Sequence, residues 1–319
     1  MTGGHTMYFG FSDEEKMLKK SVHDLLKKHA SIETVQKFVD EPNDVKHLQK
    51  LLGQQGILGM LSQEDHKYEG IMMAIAVFEE AGRFLLPFPL IEGVLGAYAL
   101  SKDPSKEDIY DQIVSGEKLL TVAWNQKSIP LAVKTNDRYV ANGTLYGVPF
   151  AENADKILAL VKVSGKDLSQ KEETAAVLID RTDSSIGLFP KKTMDQTYPL
   201  VDVEISNYTF SDEEIVLTKS GGYKLFEEIT RIGALLSSSE MLGISEEALE
   251  KSVEYTKVRK QFGQEIAKFQ ALKHMAAEMY LLVESTRAAV MYGGWTLEAG
   301  IEPETTSIVK AYSSDAATK

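Results

Sequence analysis

The chain has 319 residues, which suits two or three modest domains and is ample to bury a sizeable core. Its 47 acidic and 35 basic residues leave a net charge of −12, which excludes broad nucleic-acid binding through clustered cations. It has no cysteine, which excludes disulfides, thiolate catalysis, zinc–thiolate sites and iron–sulfur clusters, and its six histidines are scattered and give no metal pattern.

Residues 1–7 show no periodicity and read as vector sequence, with Met7 as a natural start. Tyr8 to Lys28 is charged throughout, so it is no signal peptide, and no run reaches the ~18 apolar residues of a membrane helix. A cytoplasmic location is the expectation. From Ser12 the pattern is helical. Ser12 before Asp13, Glu14 and Glu15 is an N-cap followed by acids that suit the helix dipole, and Leu18, Val22, Leu25 and Leu26 recur at helical spacing. Val45, Leu48, Leu51 and Leu52 form a second stripe, ended near Gly53 and Gly56. Met72 to Phe84, Ile91 to Leu100 and Lys106 to Val114 are three further helical runs, the first closed by Leu86-Pro87-Phe88-Pro89.

From about Leu119 to Val216 the texture becomes that of strands. Leu131-Ala132-Val133, Tyr139-Val140-Ala141, Ile157 to Val161 and Ala175 to Ile179 are short apolar runs between turn residues. Asn142-Gly143 predicts a hairpin turn, and Val201 to Ile205 alternates with period two. From Gly221 the chain is helical again. Tyr223 to about Lys260 predicts one long helix and Phe269 to about Ala299 another. The stripe Leu272, Met275, Met279, Leu282, Thr286 and Ala289 fits a bundle seam. Gly300 ends it, and Pro303 suits the first turn of a last helix.

No Rossmann fingerprint, P-loop or Gly-x-Ser-x-Gly occurs, so catalysis here needs carboxylates, a cofactor or a partner. The segment Tyr255 to Gly263, followed by Ile266 and Phe269-Gln270, is the most informative. Arg259 offers a planar fork of donors that matches two oxygens of one phosphate, Gly263 permits a tight turn, and Phe262 presents a ring to pack on adenine or flavin. The same residues also read as a helix-ending Arg and a core Phe. His274 in a helical stripe reads as structural, and Trp124 and Trp295 as core or interface residues.

From Tyr255 to Met279 the chain reads Tyr-x-x-x-Arg-x-Gln-Phe-Gly-x-x-Ile-x-x-Phe-Gln-x-x-x-His-x-x-Ala-x-Met, which resembles the signature of the acyl-CoA dehydrogenase family. Glu79-Glu80-Ala81-Gly82-Arg83 with Pro87-Phe88-Pro89 resembles the N-terminal helical domain of the family's shorter bacterial members. Val148-Pro149 with Ala154-Asp155 resembles their β-domain hairpin, and Ser307 to Lys319 the helix leading to a late glycine element. The resemblance implies a mainly α fold with a central β domain: an N-terminal helical domain over 8–118, a middle β-barrel or sandwich domain over 119–216 and a C-terminal helix bundle over 217–319. It also implies FAD and an acyl-CoA thioester dehydrogenated at its α and β carbons, with the protein supplying positioning and electrostatics. Arg259 would contact the FAD pyrophosphate, Gln261 and Phe262 would line the dinucleotide, and Phe269 and Gln270 would stand on its adenine side. In the family these contacts reach FAD in a neighbouring subunit, which implies an oligomer, homo- or heteromeric, with electron-transfer flavoprotein as the usual electron acceptor.

The departures from the family pattern carry their own implications. Thr121 to Gln126 replaces the strand–loop that holds flavin and substrate, and Tyr146-Gly147-Val148 replaces the flavin shelf. An ungapped match puts Gly233-Ala234 where a minority of members keep the catalytic Glu, and Thr230-Arg231 fits there only after a three-residue shift. Glu227, Glu228 and Glu240 share that helix and read as solvated face, so no catalytic base is assigned. Set beside the family, 319 residues end before the segment that carries the catalytic Glu in most members. The expectation is therefore a flavin-dependent acyl-CoA dehydrogenase subunit that works inside an oligomer, in its sharper version the base-lacking partner in a heteromeric dehydrogenase, of the kind that acts on fatty-acid or steroid side-chain thioesters. The alternatives are a homo-oligomeric enzyme trimmed at its C-terminus, and a non-catalytic CoA-ester or protein-binding scaffold that has lost flavin.

Overall fold

Ser12 opens the first helix with a reciprocal cap. In the computed structural model, which describes residues 10–40, 45–62, 70–125, 127–164, 173–217, 221–301 and 304–319, the Ser12 hydroxyl accepts from the Glu15 backbone N–H. The Glu15 carboxylate accepts in turn from the Ser12 N–H. Two otherwise free helix-end donors are thereby satisfied. Helix α1 (Asp13–His29) ends in Lys27, Lys28 and His29, cations at the negative end of its dipole. A short helix that the periodicity does not announce follows, α2 (Ile32–Asp40). Ile32, Thr34, Val35 and Val39 are β-branched and weaken its helical signal, and burial of Val35 and Phe38 decides the outcome.

Helices α3 (Lys46–Gln54), α4 (Ile71–Arg83), α5 (Leu90–Ser101) and α6 (Glu107–Val114) match the expected stripes within a residue or two. Every residue of α5 from Leu90 to Leu100 is buried, as expected of a helix apolar all round.

Eight strands form one mixed sheet. They are β1 (Leu120–Val122), β2 (Leu131–Thr135), β3 (Arg138–Pro149), β4 (Lys156–Ser164), β5 (Glu173–Asp180), β6 (Ile186–Pro190), β7 (Leu200–Phe210) and β8 (Ile215–Val216). The order is β6-β7-β3-β2-β4-β5-β8, with β1 pairing β4 in parallel. The β2–β4 pair is also parallel and the rest are antiparallel. Val201, Val203 and Ile205 of β7 are buried, in keeping with the period of two.

One turn prediction is corrected. Asn142-Gly143 is not a hairpin turn but lies inside β3, where the β3–β7 register shifts between Ala141 and Asn142. The Asn142 side chain there accepts from the Asn207 N–H at 2.8 Å. The turn falls six residues earlier, at Asn136-Asp137 between paired Thr135 and Arg138, with Asn136 at φ 58°. Both dipeptides tolerate unusual backbone angles, but only one pairing satisfies the sheet.

The C-terminal region holds α7 (Gly222–Val258), a two-stranded ribbon of β9 (Lys260–Gln261) and β10 (Gln264–Glu265), then α8 (Gln270–Glu298) and α9 (Thr305–Ala317). Pro303, like residues 1–9, lies outside the described residues. Two compact units emerge: Met1–Thr34, Asp65–Leu86 and Arg231–Lys319 form one, and Val35–Glu64 with Pro87–Thr230 the other. Within the first, α4 and α7 approach closely at two glycines. Gly82 lies against the backbone of Glu240, and Gly243 against the carbonyl of Glu79. Among the described residues no helix is long and apolar enough to cross a membrane.

Candidate functional site

The segment singled out by its chemistry forms an exposed β-ribbon between two long helices. Helix α7 ends as the Arg259 N–H donates to the Tyr255 carbonyl at 2.9 Å. Lys260 then pairs with Glu265 and Gln261 with Gln264, which leaves Phe262 and Gly263 as a two-residue turn. Both turn residues have positive φ, 52° and 76°, the twist-compatible geometry of a tight hairpin. Gly263 adopts this freely, whereas Phe262 does so at a steric cost. The Ile266 N–H donates to the Arg259 carbonyl at 2.9 Å and closes the base of the ribbon.

All five residues expected to hold a dinucleotide lie on this one segment. Phe262 is 91% exposed at the tip, and its ring meets Phe269 edge to face at 6.0 Å. Arg259, Gln261 and Gln270 are exposed, and the Arg259 guanidinium has no partner among the described residues. The surroundings are basic: Lys257, Lys260, Lys268 and Lys273 are all exposed nearby in sequence, in a chain of net charge −12. The reading of Phe262 as a core residue is not what the structure shows.

The bundle seam of α8 is only half filled. Val283, Thr286, Val290, Met291 and Leu297 are buried in its second half. In the first half Met275 is 58% exposed, and Tyr280 and Leu281 are more than half exposed. His274 is exposed and belongs to no metal cluster among the described residues.

Two buried polar clusters have roles that the sequence reading did not assign. In the unit built around the sheet, Glu92 of α5 is fully buried. Its Oε1 accepts from the Trp124 indole at 2.7 Å and from the Tyr198 hydroxyl at 2.5 Å, while Oε2 has no partner. Burial pushes the Glu92 carboxyl up, against the pull of the two donors. Trp124 thus serves as a tether just after β1. In the other unit, Glu79 of α4 is buried and receives Arg287 at 2.5 Å and Lys19 at 2.8 Å. Arg287 also holds Glu246 at 2.7 Å, and Arg83 reaches Glu246, Glu247 and Glu250. Burial raises the Glu79 carboxyl despite both cations. It works against charge on Glu246 too, but there Arg287, Lys19 and Arg83 outweigh it and hold the carboxyl low. Both clusters had a signal in the sequence, an acid inside an otherwise apolar helical run: Ile91-Glu92-Gly93 and Val77-Phe78-Glu79-Glu80.

Gly233 and Ala234 of α7 hold the position expected for a base, and among the acids of that helix Glu240 is part-buried. Gly233 and Ala234 are part-buried, Glu227 is exposed, and Glu228 accepts from the Tyr98 hydroxyl at 2.9 Å, so it is a tethering group and not simple solvated face.

Comparison with known proteins agrees with this architecture. Residues 220–319 match the family described as acyl-CoA dehydrogenase, C-terminal domain. The acyl-CoA dehydrogenase IpdE2 of Mycolicibacterium smegmatis is 29% identical over 288 residues, which cover 88% of this chain and 76% of that protein. Among solved structures, the ChsE4–ChsE5 complex from Mycobacterium tuberculosis has a chain that superposes with a TM-score of 0.83 at 22% identity, covering 97% of this chain and 85% of that one. A glutaryl-CoA dehydrogenase from Mycobacterium smegmatis in complex with FADH2 superposes with a TM-score of 0.84 at 14% identity, covering 96% and 82%.

Proposed function

We propose that the chain, whose residues 220–319 match the acyl-CoA dehydrogenase C-terminal domain and which resembles acyl-CoA dehydrogenases over 88% of its length, is a member of that family and a subunit of an oligomeric, FAD-dependent acyl-CoA dehydrogenase, in its sharper form the base-lacking partner of a heteromer. The observation that carries this reading is the exposed ribbon. Arg259 offers an unpartnered fork of donors at its base, and Phe262 holds a bare aromatic ring at its tip in a costly backbone conformation. A side chain strained and exposed at once contributes little to its own chain beyond its edge contact with Phe269, so its use lies in what it meets. The residues fit one half of a dinucleotide site: cations for the pyrophosphate, and a ring with amide side chains for the adenine side.

When bound, the flavin supplies the hydride acceptor for α,β-dehydrogenation of the thioester. This chain's residues would neutralise phosphate charge, stack on the dinucleotide and keep water from it. The exposed first half of α8 supports the same reading, because a partner subunit would complete its apolar seam. The absence of an acid at Gly233-Ala234 supports a partner that carries the base. The cytoplasm is the proposed location, and an electron-transfer flavoprotein the proposed electron acceptor.

To test it, the chain is purified alone and together with the chain encoded beside it, and flavin absorbance and acyl-CoA oxidation are recorded. The reading expects little flavin on the chain alone and bound FAD with activity in the pair. FAD retention with acyl-CoA oxidation by the chain alone removes the partner role. A pair with neither flavin nor activity favours the scaffold alternative.

A further inference from the structure

Thr286 is the one hydroxyl in the stripe of α8 that reads as a bundle seam. Other hydroxyls on the helices of this unit bond back to their own backbone, a common arrangement within helices. Ser245 donates to the Met241 carbonyl at 2.8 Å, Ser285 to that of Leu281 at 2.6 Å and Ser313 to that of Val309 at 2.8 Å. Thr286 is only 2% exposed, yet its hydroxyl has no hydrogen-bond partner among the described residues. The hydroxyls of Ser62, Ser164 and Thr306 are also without a partner, but those are sealed from water. That of Thr286 is not sealed, because the residue lines a cavity.

The cavity measures about 180 Å³ and lies between α7, α8 and the end of α9, within the unit that contains Arg231–Lys319. Buried Val283 and Thr286 form its floor, Met279 and Leu282 its walls, and exposed Ala248 and Lys319 its mouth. Lys319 is the only ionisable side chain among the described residues that line it, so the interior carries no charge. Packed protein interiors hold few voids larger than a water molecule, and an unfilled one is costly. An apolar cavity of ~150 Å³ accommodates benzene, so this one suits a single ring with a small substituent. It is well below the ~300–1,000 Å³ of ordinary cofactor sites, and therefore too small for a flavin dinucleotide or for CoA.

We propose that this cavity binds a small uncharged ring compound with one hydroxyl, of the phenol class, whose oxygen pairs with the Thr286 hydroxyl while its ring fills the space beside Met279, Leu282 and Val283. A threonine hydroxyl both donates and accepts, so it serves a neutral hydroxyl in either sense. An ionised ligand would lose its hydration without gaining a counter-charge inside the cavity. Burial of the ring against the apolar walls supplies most of the affinity, and the single hydrogen bond selects the ligand. The site shares no residue with the ribbon from Arg259 to Gln270, and the inference does not rest on the dehydrogenase reading.

The test is thermal unfolding of the full chain titrated separately with phenol and with toluene, which matches phenol in size but has no oxygen. Wild type, Thr286→Val and Ala248→Phe are compared. Phenol should stabilise the wild type saturably. Thr286→Val keeps the shape of the cavity and removes the hydroxyl. It should bind phenol roughly fivefold more weakly, the loss of about one neutral hydrogen bond, and toluene no more weakly than the wild type does. A threonine that only packs would shift both ligands alike. Ala248→Phe, at an exposed position, plugs the mouth and should abolish the response to both, and it decides the matter if the valine variant does not fold. The proposal is overturned by no saturable response to phenol in the wild type, by an unchanged preference between phenol and toluene in Thr286→Val, or by an undiminished response in Ala248→Phe. The flavin content of the assembled pair, read separately by absorbance, reports on the dehydrogenase reading whichever way this result falls.

Discussion

The ring of Phe262 stands edge-on to that of Phe269, at 6.0 Å between centroids and 88° between planes, yet Phe262 remains 91% exposed. One intramolecular ring contact orients it, and almost none of its surface is removed from water. Phe262→Ala should therefore change the stability of the isolated chain by no more than about 0.5 kcal/mol, the range of surface substitutions. Replacement by Gly, which takes the positive φ without strain, should stabilise the turn slightly. Both variants should lose flavin or partner binding in the assembled enzyme. Chemical denaturation of the chain, set beside flavin absorbance of the complex, separates the two effects.

Arg287 stands between Glu79 and Glu246, and Lys19 shares with it the same Glu79 oxygen, Oε1. Removing the cation leaves a fully buried carboxylate short of a partner. Arg287→Ala should cost about 3–5 kcal/mol, the typical penalty for breaking a buried pair from one side. The double replacement Glu79→Leu with Arg287→Met should recover much of that loss. Urea midpoints of the single and double variants give the comparison.

Gly243 allows α7 to lie directly on the carbonyl of Glu79, and a Cβ there would overlap that backbone oxygen. Gly243→Ala gains helix propensity of about 1 kcal/mol. It must nevertheless push α4 and α7 apart, so a net loss of stability is expected, about 1–3 kcal/mol as for overpacked cores. A rise in melting temperature would mean that the two helices can separate without cost.

Two carboxyl groups should shape the acid limb of stability in opposite senses. Burial works against charge on Asp180, but the Thr182 hydroxyl, the Thr182 N–H and Lys156 outweigh it and hold the carboxyl at about 2 against an ordinary 3.8. The unfolded chain thus binds the proton more readily, so this contribution is present above pH 3.8 and is lost as pH falls towards 2. Asp180→Asn should be less stable than the wild type at neutral pH, and the gap should close towards pH 2. Glu92 behaves in reverse, because burial raises its carboxyl above the ordinary 4.5. The folded chain binds that proton more tightly, so the contribution is favourable below pH 4.5 and declines as pH rises past it. Glu92→Gln, which still offers Trp124 and Tyr198 a carbonyl oxygen, should flatten that decline. Denaturation midpoints over a pH series check both slopes.

Much of this architecture is legible in the sequence, for physical reasons that differ along the chain. Ser12 and its three following acids specify a helix start through local bonds alone, and the structure forms that cap. The period of two in Val201 to Ile205 survives because one face of β7 is buried. Asn142-Gly143 misleads because the dipeptide suits a bulge as well as a turn, and the pairing of β3 with β7 selects between them. Helix α2 is missed because its signal is tertiary, carried by burial of Val35 and Phe38. At the candidate site, the residue types of Arg259 to Gln270 announce phosphate and ring chemistry. The exposure of Arg259, Gln261, Phe262 and Gln270, on which the proposed half-site rests, is visible only in three dimensions.

The central claim is that the Arg259 ribbon completes a dinucleotide site across a subunit boundary. The most direct measurement is the flavin content of the assembled enzyme with Arg259→Ala, alongside size-exclusion chromatography to verify assembly. The account predicts an intact complex that has lost most of its FAD, with affinity reduced by about tenfold or more, as expected for removal of a bidentate charge-assisted contact. An intact complex that keeps its full complement of FAD would contradict it.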